Sequence, residues 1–134
     1  MSALSNYLEN ALTTHVLTNT AFTTPGTSVY VGLIKFYETD KLEAGTLTQE
    51  VSGGSYARVQ VTAWDAPSNG ATQNTGAATF PTSTADWGMV SGVFVADAST
   101  SGNVLLHGSL TSARDVNSGD VFKFNAGDLD ITFA

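Results

Sequence analysis

The chain has 134 residues, 42% of them hydrophobic and 13% charged, with five Lys and Arg against twelve Asp and Glu, a formal net charge of −7 and no cysteine. That length reads as one domain, residues 1–134, with enough apolar residues for a packed core. The acidic balance repels phosphates, so nucleic acid and anionic membranes are set aside as partners. The lack of cysteine removes disulfides, thiolate catalysis and cysteine-bound zinc. Charged residues stand at about half their usual share. Ser, Thr, Gly and Asn fill the gap, as suits a β protein with many turns. No apolar run approaches the ~20 residues of a membrane span. The Met-Ser-Ala start, followed by a polar helix, lacks the pattern of a secretory signal, so synthesis in the cytosol is expected.

Residues 2–19 carry Leu4, Tyr7, Leu8, Ala11, Leu12, His15 and Val16 at helical spacing. This predicts an amphipathic helix over residues 1–20 with Ser2 as N-cap, Asn19 at its C-terminus and one buried stripe. Leu8 and Leu12 lie at the centre of that stripe, which packs either on the domain's own sheet or on a neighbouring subunit. After Pro25-Gly26 the period changes to two, and residues 28–134 read as β structure. Ser28 to Phe36 is apolar on both alternating sets, the pattern of a strand covered on both faces. Tyr37 to Gly54 reads as a polar loop with a short edge strand near Thr46 to Val51. Tyr56 to Trp64 alternates as a half-buried strand. Ala71 to Phe80 is a weak strand. Trp87 to Ala96 is a strong one, with Gly88 and Gly92 marking a close approach or a bulge. Val104 to Leu110 follows, and Val121–Phe124 with Leu129–Phe133 reads as a hairpin around Asn125-Ala126-Gly127. Seven or eight strands at regular spacing with one N-terminal helix predict a mainly β fold, an antiparallel β-sandwich or jelly-roll-like domain.

The side chains that carry chemistry do not converge. His15 and His107 each lack a second histidine or a carboxylate at metal-ligand spacing. Asp128 and Asp130 share a strand face but match no calcium loop. Asp65, Asp86, Asp97, Asp115 and Asp120 sit beside turns, where Asp caps backbone. Ser52-Gly53-Gly54-Ser55 precedes a strand rather than a helix, so it reads as a turn and not as a phosphate cradle. No catalytic, cofactor or metal site is read, and the expectation is a protein that is not an enzyme and needs no cofactor. Tyr37, Trp64 and Trp87, with Tyr30 and Tyr56, are aromatics suited to a core, a subunit interface or a sugar-binding face. Leu8, Leu12, Tyr37, Trp64 and Trp87 are therefore the interface candidates.

The ordered phrases EVSGGSYAR (Glu50 to Arg58), TFPTSTADWG (Thr79 to Gly88), NVLLHGSL (Asn103 to Leu110) and SGDVFKFNAGDL (Ser118 to Leu129) span nearly the whole chain. So do MSALSNYLENALTTHVL at the start and SVYVGL from Ser28 to Leu33. Together they resemble a family of small tailed-phage virion proteins, of capsid-decoration or head-fibre type and often labelled tail fibre proteins. The chain departs from the family pattern at Met89 to Val95 and in the loop Tyr37 to Gln49. The resemblance implies a β-sandwich virion component made in the host bacterial cytoplasm. It further implies a place on the capsid exterior, bound to the major capsid protein as a cement protein, and a homo-oligomer, expected as a trimer. A fibre shaft would call for a repetitive or coiled-coil segment, which the pattern does not contain. The other reading is a tail-fibre or receptor-binding module contacting host glycans through Trp64 and the loops around Tyr37 and Trp87.

Overall fold

A computed structural model describes residues 3–133. Its elements run β1 (Ala3–Leu4), α1 (Asn6–Thr18), β2 (Tyr30–Ile34), α2 (Thr39–Glu43), β3 (Val59–Gln60), β4 (Ala71–Gln73), β5 (Ala78–Thr79), β6 (Gly88–Ala96), β7 (Val104–Val116), β8 (Lys123–Phe124) and β9 (Asp130–Thr132). The fold is mainly β and antiparallel. One five-stranded sheet has the order β1-β7-β6-β2-β3, and two short pairs, β4-β9 and β5-β8, stand apart from it. The arrangement is that of a β-sandwich.

The period-two pattern of β2 explains the layering. Val31 and Leu33 pair with Val95 and Val93 of β6 and point to one face. There they meet Phe80, Trp87, Phe122, Phe124 and Leu129 in the larger core, which also takes Leu8 of α1. Ile34, Phe94, Ala96 and Val104 occupy the opposite face and are covered by Leu42 of α2, with Tyr37 and Leu47 beside it. A strand apolar on both sets is thus buried on both sides, as its sequence requires. Phe80, Phe122 and Phe124 meet edge to face with centroids 5.2–6.2 Å apart. Burying each contributes on the order of 2–3 kcal/mol relative to leaving it exposed, and the ring geometry adds to that.

β6 forms where the sequence places a strand, and the irregularity expected near Gly92 is present. Val90 pairs with Arg114 but Gly92 pairs with Ser109, so a bulge of β7 residues lies between them. Gly92 is needed for packing, because a Cβ there would stand 2.7 Å from the Tyr37 ring.

Several expectations are corrected. Ser2 lies outside the described residues, and α1 is instead capped by Ser5, whose Oγ accepts from the Leu8 N–H at 3.3 Å. Ala3 and Leu4 are drawn into a strand against His107 and Leu106 rather than into the helix. Asn19 ends α1 in the left-handed conformation. Tyr56 to Trp64 is not one strand: only Val59–Gln60 pairs with β2, because Tyr56 and Arg58 both turn inward to polar partners. Ala71 to Phe80 divides between two sheets, broken at Asn74–Gly76, where the buried Asn74 amide binds the 125–129 turn. That same turn splits the expected C-terminal hairpin: β8 pairs with β5 and β9 with β4. β7 runs on to Val116 instead of ending at Leu110, and the loop after Tyr37 contains α2. Its short edge contact does form, with the Val51 N–H donating to the Leu33 carbonyl.

Candidate docking surface

The EVSGGSYAR phrase is a clamp rather than a binding loop. Gly53, Gly54 and Ser55 all have positive φ, which turns the chain sharply. The return brings Arg58 back to Glu50. Arg58 Nε and Nη2 donate to the two Glu50 carboxylate oxygens at 2.8 and 2.9 Å. Its Nη1 donates to the Ala98 and Ser101 carbonyls at 2.8 and 2.9 Å, and the guanidinium lies 4.9 Å from the Phe94 ring centre. Burial pushes the guanidinium pKa down, but the Glu50 hydrogen bonds and charge outweigh it and the net direction is up. Tyr56 donates its O–H to Glu50 at 2.9 Å and accepts from the Leu33 N–H at 3.0 Å. It thereby fills the gap in the β2 edge between the paired segments around Val51 and Val59. Burial first, and the Glu50 charge second, hold the phenol well above its ordinary pKa. Every strong donor here has an internal partner, so the clamp fixes the loop and leaves little for a ligand.

The sequence candidates do not form one surface. Trp87 is 4% exposed and inside the core. Its indole N–H donates to the Gly54 carbonyl at 2.9 Å, and its ring meets Tyr56 edge-on. It is therefore removed from the exposed contact set, because its area is already used within the chain. Leu8 is buried likewise, and Leu12 packs half-buried beside it. Trp64 is half-buried, with its indole N–H directed to the Val61 carbonyl. Tyr37 lies on the other face of the sheet, against His107.

The apolar stripe of α1 continues past the sheet that covers it. Leu8 and Leu12 have cover, whereas Val16, one turn further, is 73% exposed and Leu17 is 76% exposed. The expected burial of His15 and Val16 is thus corrected: the helix is longer than the surface beneath it. His15 Nδ1 instead contacts the Thr20 carbonyl at 2.9 Å. Tyr7, Ala11 and Phe22 line an open groove between α1 and the chain that follows it. Glu9 is the one acidic residue of α1, and no Asp, Glu, Lys or Arg occurs from Asn10 to Ile34. Sequence periodicity finds the stripe, but the length of the sheet under it is a tertiary fact.

The turn aspartates act as backbone caps. Asp86, Asp97, Asp120 and Asp128 accept from the N–H groups of Ser118, Asn103, Asn117 and Asn125 at 2.7–2.9 Å. Asp128 and Asp130 are exposed, and among the described residues no group of three or more His, Asp or Glu is placed to hold a metal. No helix is long and apolar enough to cross a membrane, among the described residues.

Fold and surface together define a small β-sandwich module whose recurring phrases are its structural joints. The family model described as Podophage GP4 fiber I protein gp80 matches residues 3–132. The chain belongs to that family, and it is a tailed-phage virion structural protein of fibre type. No curated protein matches it.

Proposed function

We propose that this chain is a contact-making module of a phage fibre, without enzymatic activity, and that copies of it associate through the uncovered end of α1. The observation that carries the reading is the stripe Leu8–Leu12–Val16, with Leu17 beside it, which leaves its own domain uncharged and unpaired. An acidic chain repels its copies over most of its surface, so an uncharged apolar end is where they approach at least cost. Association there would be homo-oligomeric.

A second reading places the module on the capsid exterior, bound to the major capsid protein as a decoration. It is favoured by the compactness of the described residues, which contain neither a coiled-coil stripe nor a repeat able to build a shaft. Copy number separates the two. A tail fibre follows the low rotational symmetry of the tail and occurs in about tens of copies or fewer, whereas a capsid decoration or head fibre follows the coat lattice and occurs in roughly hundreds. Quantitative mass spectrometry of purified virions, referenced to the major capsid protein, is expected to give fewer than about one copy per twenty coat subunits if the fibre stands on the tail. A ratio near one to one, or one to a few, would replace it with the capsid reading.

A further inference from the structure

His107 lies in β7, 1% exposed, on the sheet face covered by α2. Its Nδ1 is 2.8 Å from the Tyr37 hydroxyl. Its Nε2 is 3.3 Å from Glu43 Oε1, too poorly aligned for a hydrogen bond, and is left without a proper partner. The segment Tyr37–Leu47 thus reaches His107 at two points: Tyr37 at its start and Glu43 at the end of α2. Between them Leu42 caps Ile34, Phe94, Ala96 and Val104. α2 has five residues and no side-chain cap at its N-terminus, so it is held by these contacts and not by its own helix energetics.

We propose that Tyr37–Leu47 is a strap latched on His107, which acidification releases to uncover the apolar face beneath it. With the Glu43 carboxylate beside Nε2, the neutral ring carries its proton there, and Tyr37 donates to Nδ1. A second proton on Nδ1 turns that acceptor into a donor, so the Tyr37 hydroxyl has to turn from donor to acceptor while a positive charge is placed on a ring that is 1% exposed. The groups that face the ring are Tyr37 from the strap, Glu43 from α2 and, at longer range, Glu9 from α1. β1 and β6 present Ala3 and Phe94 as its cross-strand neighbours. Burial lowers the ring's affinity for the proton from its ordinary 6.5 and outweighs the opposing pull of Glu43 and Glu9. An open strap therefore binds a proton that the closed strap refuses. The closed form keeps its full stability above pH 6.5 and loses it progressively as pH falls below that value.

Amide exchange within the strap tests this. The reporters are the N–H groups of Leu42, Ala44, Gly45 and Thr46, which donate within the strap. After correction for intrinsic rates, opening is expected to rise up to about tenfold between pH 7.5 and pH 5.5, one unit below the ordinary histidine value. His107→Gln should abolish the rise, and His15→Gln should keep it. The same rise in His107→Gln, or none in the wild type, would overturn the proposal. The His107 ring proton followed by NMR provides a test independent of any variant. Titration below 6.5 is expected, and titration at or above 6.5 would overturn it.

Discussion

Arg58 is the one Lys or Arg buried among the described residues, and it is tolerated because four hydrogen bonds and an aromatic ring take up its charge. Removing its counter-ion leaves that charge in place without its partner. Glu50→Gln is expected to cost about 3 kcal/mol, read as a lower urea midpoint at an unchanged slope. Tyr56→Phe should cost about 1–2 kcal/mol, because the Leu33 N–H loses its acceptor. The turn itself gives a paired test. Gly53 and Gly54 both have positive φ, but a Cβ at Gly53 meets nothing within 4 Å, whereas one at Gly54 stands 2.8 Å from Trp87 Nε1. Gly53→Ala should cost about 1 kcal/mol for the backbone alone. Gly54→Ala should cost clearly more, and equal losses would show that Trp87 does not pack against the turn. The clamp was hard to read from sequence, since Arg58 alternates with Ala57 and Val59 and looks like the outer face of a strand. The available signal was a Glu and an Arg flanking a double-glycine reversal, which returns the ends of the phrase to each other.

At the scale of elements, the long regular segments were legible and the long-range partnerships were not. β6 could be read because nine residues carry a dense apolar pattern, and the irregularity beside it because Gly92 interrupts that pattern, although the extra residues lie in β7. α1 could be read from its stripe. α2 could not, since TDKLE offers a single apolar residue, Leu42, to a periodicity argument. The C-terminal pair failed for a different reason. Phe124 pairs with Ala78 and Asp130 with Gln73, so each strand finds its partner about fifty residues back, where no local turn signal points. Among the aromatic candidates, Trp87 leads into the strong apolar strand β6, a local sign of burial, and lies inside the core, whereas Trp64 lies at its margin. α1 itself gives a prediction with two opposite outcomes. Leu8→Asp places a carboxylate in the core, at several kcal/mol, and should abolish cooperative thermal unfolding. Leu17→Lys sits on an exposed position in the last turn, where the helix C-terminus favours a cation. It should melt within about 2 °C of the wild type, a change of under 1 kcal/mol.

At the scale of the whole molecule, the phrases that mark the family are the joints of its fold. Glu50 to Arg58 closes the clamp. Phe80, Ser83 and Trp87 tie the TFPTSTADWG segment into the core and to the Asn117–Asp120 turn. Phe122 and Phe124 complete the aromatic cluster. The opening phrase MSALSNYLENALTTHVL differs from these joints, because its last residues, Val16 and Leu17, are exposed and hold nothing together within the domain. That end is proposed to join copies of the module to one another, and so to hold the module in the virion. Val16→Lys combined with Leu17→Lys changes that surface without entering the core. The direct measurement is the amount of this variant, relative to the major capsid protein, in virions assembled with it as the sole copy. The variant is expected to fold and melt as the wild type does, yet to be absent from purified particles or reduced by about tenfold or more. Incorporation at the wild-type level would contradict it.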